Sequence, residues 1–248
     1  MKAVLLAAGR GTRLRPLTDE LPKVMIPIAG KPILEHHVQH LARAGIGEIF
    51  INLHHLPERI TAYFGDGKNW GVNIRYSFEP EILGTAGAIK KLESELSGSP
   101  FLVVYGDNYS EFDFADFISW SEKFTGMGTI AVSKKENVAG CGVVEIGSGD
   151  QIIRFLEKPA LNEVISHWVN DGIYRLSGDI LDYIPDGYSD FGHDIFPEVI
   201  KREKPLFAYK STVPVWAIDH QELLNELNHL PTDAAMLKKL YASCLLKS

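Results

Sequence analysis

The chain has 248 residues, of which 45% are hydrophobic and 23% charged, and it carries a formal net charge of −7 at pH 7. This length and composition predict a globular protein with one sizeable core, and no apolar run is long enough to cross a bilayer. Because binding to a polynucleotide backbone requires a basic face, we do not expect a nucleic acid polymer as partner. The short apolar runs likewise predict that the protein has no membrane partner.

The two cysteines, Cys141 and Cys244, show no spacing pattern. Buried thiols in a reducing compartment are therefore favoured over a disulfide. The apolar run near the N-terminus continues directly into a glycine-rich loop without a small-residue cleavage site, which predicts that there is no signal peptide. Together these features predict a cytoplasmic protein.

Short apolar runs alternate with helical patterns through the first half of the chain. The pattern predicts helices at residues 32–44, 57–64 and 85–96, and strands at residues 4–7, 48–52, 72–77 and 101–105. Such alternation predicts an α/β fold with a Rossmann-like mixed, mostly parallel central sheet and helices on both faces. Ligands of such folds bind beyond the carboxyl ends of the strands.

After about residue 125 the pattern changes to strands joined by turns. The predicted elements are closing helices at residues 221–229 and 233–246, and strands at residues 128–134, 141–146, 152–157, 170–175 and 206–210. No linker, repeat or low-complexity tract interrupts the chain. We therefore predict a single domain over residues 1–248, with one half at about 1–125 and the other at about 126–248.

A loop with the sequence AAGRGTRLRPLT follows the first predicted strand. Gly9 and Gly11 allow backbone N–H groups to approach an anion closely. Arg13 and Arg15 add guanidinium groups that can hold phosphate oxygens in a bidentate fork, and Lys23 adds a further positive charge. A solvated surface loop would be the better interpretation of an isolated G-x-G, but this density of cations predicts a phosphate site.

Two common nucleotide motifs do not fit this loop. Leu14 stands where the third glycine of the dinucleotide fingerprint G-x-G-x-x-G would be, and no G-K-[ST] follows at Walker A spacing. A dehydrogenase and a P-loop kinase are therefore disfavoured.

The run GRGTRLRPLT, followed at fixed spacing by PK, P and GKP, resembles the signature of the sugar-1-phosphate nucleotidyltransferases, also called nucleotide-sugar pyrophosphorylases. The resemblance implies a GT-A-like nucleotidyltransferase fold that joins a nucleoside triphosphate to a sugar 1-phosphate and releases pyrophosphate, with Mg²⁺ as cofactor. It implies Arg13, Lys23 and Lys158 as catalytic residues. The resemblance implies that the half at about 1–125 binds the nucleotide and the half at about 126–248 binds the sugar phosphate. The nucleotide-binding residues that it implies are Ala7, Ala8, Gly9, Gly11, Thr12, Arg13, Gly84, Thr85 and Gly106.

Two carboxylates are candidate metal ligands. Asp107 follows Gly106 at the end of the most apolar strand, and Mg²⁺ takes few protein carboxylates besides phosphate oxygens. The resemblance implies that Asp107 is a ligand. Asp219 is the second candidate, although it is followed by His220 and Gln221 and the Gly-Thr pair usual in this segment of the family is missing. A competing role for Asp219 is the N-cap of the following helix.

The second half carries the triplet EKP and the segment NDGIY. The resemblance implies that Glu157 holds sugar hydroxyls and that Lys158 binds the sugar phosphate. Asp171 stands where the family often has a small residue, and its role is open. The full set implied for the sugar phosphate is Asn108, Gly142, Glu157, Lys158, Asn170 and Gly172.

Substrate identity stays open between several alternatives. The segments PKVMIP and LGTAG resemble mannose-1-phosphate guanylyltransferases, while thymidylyl- or uridylyltransferases of glucose 1-phosphate are the next alternative. A cytidylyltransferase for a non-sugar phosphate such as phosphocholine would need an aromatic cage, for which the sequence offers Trp168, Tyr174, Tyr188 and Trp216. A non-catalytic nucleotide-sugar-binding paralogue is a further alternative, favoured only by the altered context of Asp219. A homo-oligomer is compatible with the sequence.

Overall fold

The computed structural model describes residues 1–229. The strands are β1 Lys2–Leu6, β2 Pro27–Ile28, β3 Lys31–Pro32, β4 Glu48–Leu53, β5 Asn73–Phe78, β6 Phe101–Tyr105, β7 Asn108–Tyr109, β8 Gly128–Lys134, β9 Gly142–Ile146, β10 Ile152–Glu157, β11 Trp168–Leu176, β12 Leu206–Lys210 and β13 Trp216–Ala217. The helices are α1 Leu17–Glu20, α2 Ile33–Arg43, α3 Pro57–Phe64, α4 Gly84–Lys90, α5 Glu93–Leu96, α6 Phe114–Ser121, α7 Phe196–Lys201 and α8 Gln221–His229. Among these described residues, no helix is both long and apolar enough to span a membrane.

Most of the predicted strands and helices are present within a residue or two of the expected bounds. The helix predicted at residues 85–96 is instead divided into α4 and α5, because the backbone leaves the helical conformation at Leu92 (φ −97°, ψ 14°). A contact far along the chain accompanies this break, since Lys90 Nζ at the end of α4 donates to the Leu181 carbonyl at 3.2 Å. The helix predicted at residues 233–246 and Cys244 lie outside the described residues.

The chain forms two compact units, each assembled from separate stretches of sequence. Unit A contains residues 1–4, 82–104 and 115–211, and unit B contains residues 5–81, 105–114 and the described residues from 212 onward. The prediction of a single domain over residues 1–248, divided near residue 125, stays a prediction.

Unit A contains a mixed sheet in the order β10-β9-β11-β6. These neighbours pair antiparallel, while β8 pairs antiparallel with β11 and parallel with β12. The register of β11 against β8 shifts between Asn170 and Tyr174, which face Val132 and Ile130 respectively. Strand β11 thus carries a bulge at the segment NDGIY, and bulges re-aim side chains near functional sites.

Unit B contains the parallel pair β4 and β5, the short hairpin β2 and β3, and the antiparallel pair β7 and β13. Helix α8 packs through Leu224 and Leu227 into a core cluster that also includes Leu14, Ile218 and Tyr109. Their spacing of three residues places both leucines on one helical face. This cluster lies under the loop that follows β1 and under the segment that carries Asp219.

Candidate active site

The loop that follows β1 is built around Gly11. Its φ of +61° lies in the left-handed region, which favours glycine. A β-carbon at this position would lie 2.9 Å from both Lys23 Cβ and Thr18 Cγ2. Thr18 Oγ1 also donates a hydrogen bond of 2.8 Å to the Gly11 carbonyl. Glycine at this position therefore permits both the bend and the close approach of Lys23.

A buried amide side chain holds the start of the same loop. Asn52 Oδ1 accepts a hydrogen bond of 2.6 Å from the Ala7 backbone N–H, and Asn52 Nδ2 donates to Glu79 Oε1 at 2.8 Å. Asn52 and Glu79 are both buried, and buried polar groups are held in place by such bonds. The sequence interpretation did not include either residue, although a polar Asn52 inside the apolar strand β4 is a signal that could have found it.

Four of the predicted residues come together in one charged cluster in unit B. The ammonium of Lys23 donates to Asp107 Oδ2 at 2.6 Å and to Asp219 Oδ1 at 2.8 Å. Arg13 Nη1 lies 2.9 Å from Asp219 Oδ2. We call Arg13, Lys23, Asp107 and Asp219 the charged cluster. The cluster engages both oxygens of Asp219, which gives this residue a defined place despite the altered motif after it.

Short strands hold the two carboxylates of the cluster in place. Strand β7 directly follows Asp107, and β13 ends two residues before Asp219. Within the β7–β13 pair, Tyr109 faces Trp216, and their rings stack with centroids 5.8 Å apart. Pairing of these two strands therefore brings together carboxylates that are more than a hundred residues apart in the sequence.

The electrostatics of the cluster favour the charged forms of Lys23 and Asp219. Burial alone would lower the pKa of Lys23, but the Asp107 and Asp219 carboxylates more than offset burial and raise it. Burial likewise opposes ionisation of Asp219, but Lys23 and Arg13 hold the pKa of this carboxyl below its usual value. Lys23 is only 6% exposed, so its interactions are weakly screened by solvent.

The donor set of the cluster suits Mg²⁺ shared with a phosphate ligand. Two carboxylates converge on one point, since both touch the Lys23 nitrogen. Hard oxygen donors suit Mg²⁺, which is commonly held by one or two carboxylates together with substrate phosphates. Among residues 1–229, no group of three or more His, Cys, Asp or Glu side chains could hold a metal alone. A metal bound here would therefore need oxygen ligands from the substrate or from water.

In unit A, Glu157 and Lys158 lie at the end of β10, beside Gly142 of β9. Glu157 pairs with Gly142 in the strand register, and Lys158 N donates to the Cys141 carbonyl at 3.0 Å. Glu157 Oε1 lies 3.6 Å from Lys158 Nζ. Lys158 adopts a φ of +47°, which is uncommon for a residue with a side chain and is often found at functional sites.

The bulge of β11 holds Asn170 and Gly172. Asn170 Oδ1 accepts from the Gly172 N–H at 3.0 Å, and Asn170 Nδ2 donates to Tyr174 Oη at 2.8 Å. Asp171 between them is buried and accepts a hydrogen bond of 2.6 Å from Ser133 Oγ. Burial raises the pKa of Asp171 to about 7, even though Ser133 and the charge of Lys135 favour ionisation. Asp171 therefore belongs to the interior side of the bulge.

Gly84 and Thr85 begin α4, and the backbone N–H groups at the start of this helix are hydrogen-bonded to residues of the same unit. The Thr85 N–H and Oγ1 donate to Asp190 Oδ1 at 3.2 and 2.8 Å. The N–H groups of Ala86 and Gly87 donate to the Ser189 carbonyl. Close packing against this segment accounts for the small residues here, and a nucleotide contact by Gly84 and Thr85 stays a prediction.

The other predicted residues lie in unit B. Gly9 and Thr12 are exposed in the loop after β1, while Ala8 is buried there. Gly106 N–H donates to the Leu6 carbonyl at 2.9 Å, so this glycine serves close strand pairing. The Asn108 carbonyl accepts a hydrogen bond of 2.6 Å from His37 Nε2. Burial lowers the pKa of His37 to about 4, so its ring is a neutral donor at pH 7.

The family model for nucleotidyl transferases matches residues 2–217 of the chain. The chain therefore belongs to the nucleotidyl transferase family, and the resemblance seen in its signature motif is confirmed.

The chain is also similar in sequence to individual curated proteins. The chain is 38% identical over 222 residues to a UTP–glucose-1-phosphate uridylyltransferase from Synechocystis, covering 84% of this chain and 57% of that protein. It is 37% identical over 214 residues to a mannose-1-phosphate guanyltransferase from Schizosaccharomyces pombe, covering 84% and 58%. The chain thus spans a little over half the length of these curated relatives.

A solved structure confirms the fold. A putative glucose-1-phosphate thymidylyltransferase from Bacillus anthracis superposes with a TM-score of 0.82 at 22% identity, covering 96% of this chain and 95% of that one. The predicted α/β class with a mixed, mostly parallel sheet is therefore confirmed.

Proposed function

We propose that the protein transfers a nucleotidyl group from a nucleoside triphosphate to a sugar 1-phosphate, giving a nucleoside diphosphate sugar and pyrophosphate. The charged cluster is the observation that carries this proposal, because two cations and two carboxylates meet beside a glycine-rich loop. Membership of the nucleotidyl transferase family and the names of the relatives support the same reaction.

The chemical step is attack by a phosphate oxygen of the sugar 1-phosphate on the α-phosphorus of the triphosphate. A phosphate monoester has a second pKa of about 6, so the attacking group is already largely deprotonated at neutral pH and needs no general base. The main obstacle is repulsion between two polyanions. Arg13 and Lys23 would neutralise charge on the triphosphate, and the exposed ammonium of Lys158 would hold the sugar phosphate.

We propose Mg²⁺ as the cofactor of this reaction. Asp107 and Asp219 would hold it, because their carboxylates already converge on a single cationic group. Bound there, it would supply positive charge to phosphate oxygens. Lys23 and Arg13 would then be available for the triphosphate itself.

GTP and mannose 1-phosphate are the proposed substrate pair. The segments PKVMIP and LGTAG and the guanyltransferase relative favour this pair. UTP and glucose 1-phosphate are the second candidate, favoured by the Synechocystis relative. Phosphocholine is the third candidate, because one of the four aromatic residues available for its cage, Tyr174, is fully buried against Phe191 and Phe196 and is not accessible to a ligand. We place the reaction in the cytoplasm, which fits the free thiol of Cys141.

The proposal is tested by measuring pyrophosphate release from purified protein and Mg²⁺ with each nucleoside triphosphate against a panel of sugar 1-phosphates. Release with one matched pair would establish the reaction and name both substrates. Silence across the panel with detectable binding of a nucleotide sugar would indicate the non-catalytic paralogue. Turnover of phosphocholine alone would overturn the sugar assignment.

A further inference from the structure

The carboxylate of Glu157 lies between two glycines in unit A. A β-carbon at Gly142 would lie 2.7 Å from Glu157 Oε2. A β-carbon at Gly192 would overlap the same oxygen and would lie 2.9 Å from Glu157 Cδ and 3.3 Å from its Cγ. We call Gly142 and Gly192 the glycine slot. Neither position has room for a methyl group while the carboxylate keeps its place.

Space, rather than backbone conformation, explains the glycine at position 192. Gly192 is not among the residues with positive φ, so its backbone does not demand glycine. It belongs to the π-helical turn Phe191–Ile195, and such turns are frequent at functional sites. Phe191 and Phe196 stack with ring centroids 5.2 Å apart, which anchors the turn in the core. The backbone of the turn is therefore held in place, and the Glu157 carboxylate packs against it.

The opposite oxygen of the same carboxylate faces a cation. Glu157 Oε1 is the oxygen that lies 3.6 Å from Lys158 Nζ, and the Glu157 side chain is only 17% exposed. One oxygen is thus set by the glycine slot and the other by the ammonium. A carboxylate fixed in this way presents its acceptor lone pairs in one orientation, which suits a ligand with hydroxyl donors at fixed positions.

We infer that Gly192 is a positioning residue that determines which sugar 1-phosphate the protein accepts, by fixing the orientation of the Glu157 carboxylate. The inference rests on the proposed function and on the role that the family resemblance implies for Glu157, which is to hold sugar hydroxyls. Gly192 lies outside the signature motifs, and its sequence separation of 35 residues from Glu157 hides the contact from any local pattern.

The test variant is Gly192→Ala, and Gly47→Ala is its matched control. The atoms that crowd position 192 form the far end of a flexible side chain, so the carboxylate should move while the backbone stays. We expect the KM for the preferred sugar 1-phosphate to rise at least about tenfold, as for loss of hydrogen bonds to a charged group. The KM for the triphosphate should stay within about twofold. Position 47 has open space and no positive φ, so Gly47→Ala should leave both KM values unchanged.

A double-mutant cycle with Glu157→Ala separates positioning from a general structural effect. Once the carboxylate is removed, Gly192→Ala should change neither the sugar KM nor the melting temperature any further. An effect of Gly192→Ala that persists in the Glu157→Ala background, or equal rises in both KM values, would overturn the inference. So would unchanged sugar selection in an active Gly192→Ala enzyme.

The failure of the proposed function gives a different result. Wild-type protein that is silent with every sugar 1-phosphate would overturn the proposed function and the role in sugar selection with it. The melting temperatures of the same four proteins would still report whether Gly192→Ala displaces the Glu157 side chain.

Discussion

Replacing Lys23 by methionine removes one charge from the centre of the charged cluster and keeps a side chain of similar size. Lys23 is 6% exposed, and its ammonium touches two carboxylates, at 2.6 and 2.8 Å. Without the ammonium, the two carboxylate oxygens that it bridges would repel each other, because their separation cannot exceed the sum of those two distances. The variant should therefore be less stable than the wild type in the absence of ligands.

The size of this loss follows from the burial of the partners. Removing one partner of a fully buried ion pair costs about 3–5 kcal/mol. The Asp107 side chain is 38% exposed and Arg13 still pairs with Asp219, which reduces the loss. We expect about 2–3 kcal/mol, or a fall in Tm of about 4–12 °C for a chain of this size.

The same variant should bind Mg²⁺ more tightly when no nucleotide is present. In the wild type, a metal at Asp107 and Asp219 must displace two charge-assisted hydrogen bonds from Lys23. Each such bond contributes about 1.5–3 kcal/mol, so their absence should tighten metal binding at least about tenfold. Titration calorimetry with Mg²⁺ or Mn²⁺, and the rise in Tm on adding metal, measure this gain.

The pH dependence separates this effect from a general loss of packing. The pKa of Lys23 is raised on folding, so its stabilisation is fully present below its ordinary pKa and is lost only as pH rises through the raised value. The deficit of the Lys23→Met variant should therefore be constant between about pH 6 and pH 9. The exposed Lys31 offers the control Lys31→Met in the same unit. A Lys23→Met protein with wild-type stability and unchanged metal affinity would refute the reasoning.

Three further changes test other parts of the molecule. Asn52→Ala deprives the buried Ala7 N–H of its acceptor, and urea unfolding should show a loss of about 1–3 kcal/mol together with a raised KM for the triphosphate. The pKa of Asp171 is raised on folding to about 7, so the stability of the wild type should fall by about 3 kcal/mol between pH 5 and pH 8. Asp171→Asn should keep the acceptor for Ser133 and abolish this fall, and a fall of the same size in the variant would show that another group titrates. Lys158→Ala should raise the KM for sugar 1-phosphate at least about tenfold and change the KM for the triphosphate by less than about twofold, whereas equal changes would contradict its assignment.

Much of the fold was predictable because its strands are buried apolar runs bounded by turn residues. Phe101–Tyr105 and Gly128–Lys134 are such runs and have the predicted bounds. The two-residue strands β7 and β13 were not predicted, since a pair of residues carries no periodicity. They exist because Tyr109 and Trp216 meet across the pair, a contact that only the tertiary structure creates.

In the candidate site too, residues within one short run could be predicted, whereas residues whose partners are distant in the sequence could not. The sequence singles out Arg13 and Lys23 because both lie within a short run whose residue types state their chemistry, and both contact Asp219 in the structure. Asn52 and Gly192 were missed, because their roles depend on partners 45 and 35 residues away. A glycine with ordinary backbone angles gives no sign in the sequence that a carboxylate occupies the space beside it.

The charge balance of the cluster also explains how an acidic chain can be built to bind a polyanion. Arg13 and Lys23 carry two positive charges and Asp107 and Asp219 carry two negative ones, so the cluster is neutral while the chain has a net charge of −7. A neutral cluster gives a triphosphate little net attraction as long as its cations are paired with its carboxylates. In the proposed reaction a divalent cation at the carboxylates would make both basic side chains available to phosphate, so binding of cation and triphosphate would be coupled and each would favour the other. On this argument the ion pairs of the cluster would keep its positive charge internally neutralised until both ligands are present.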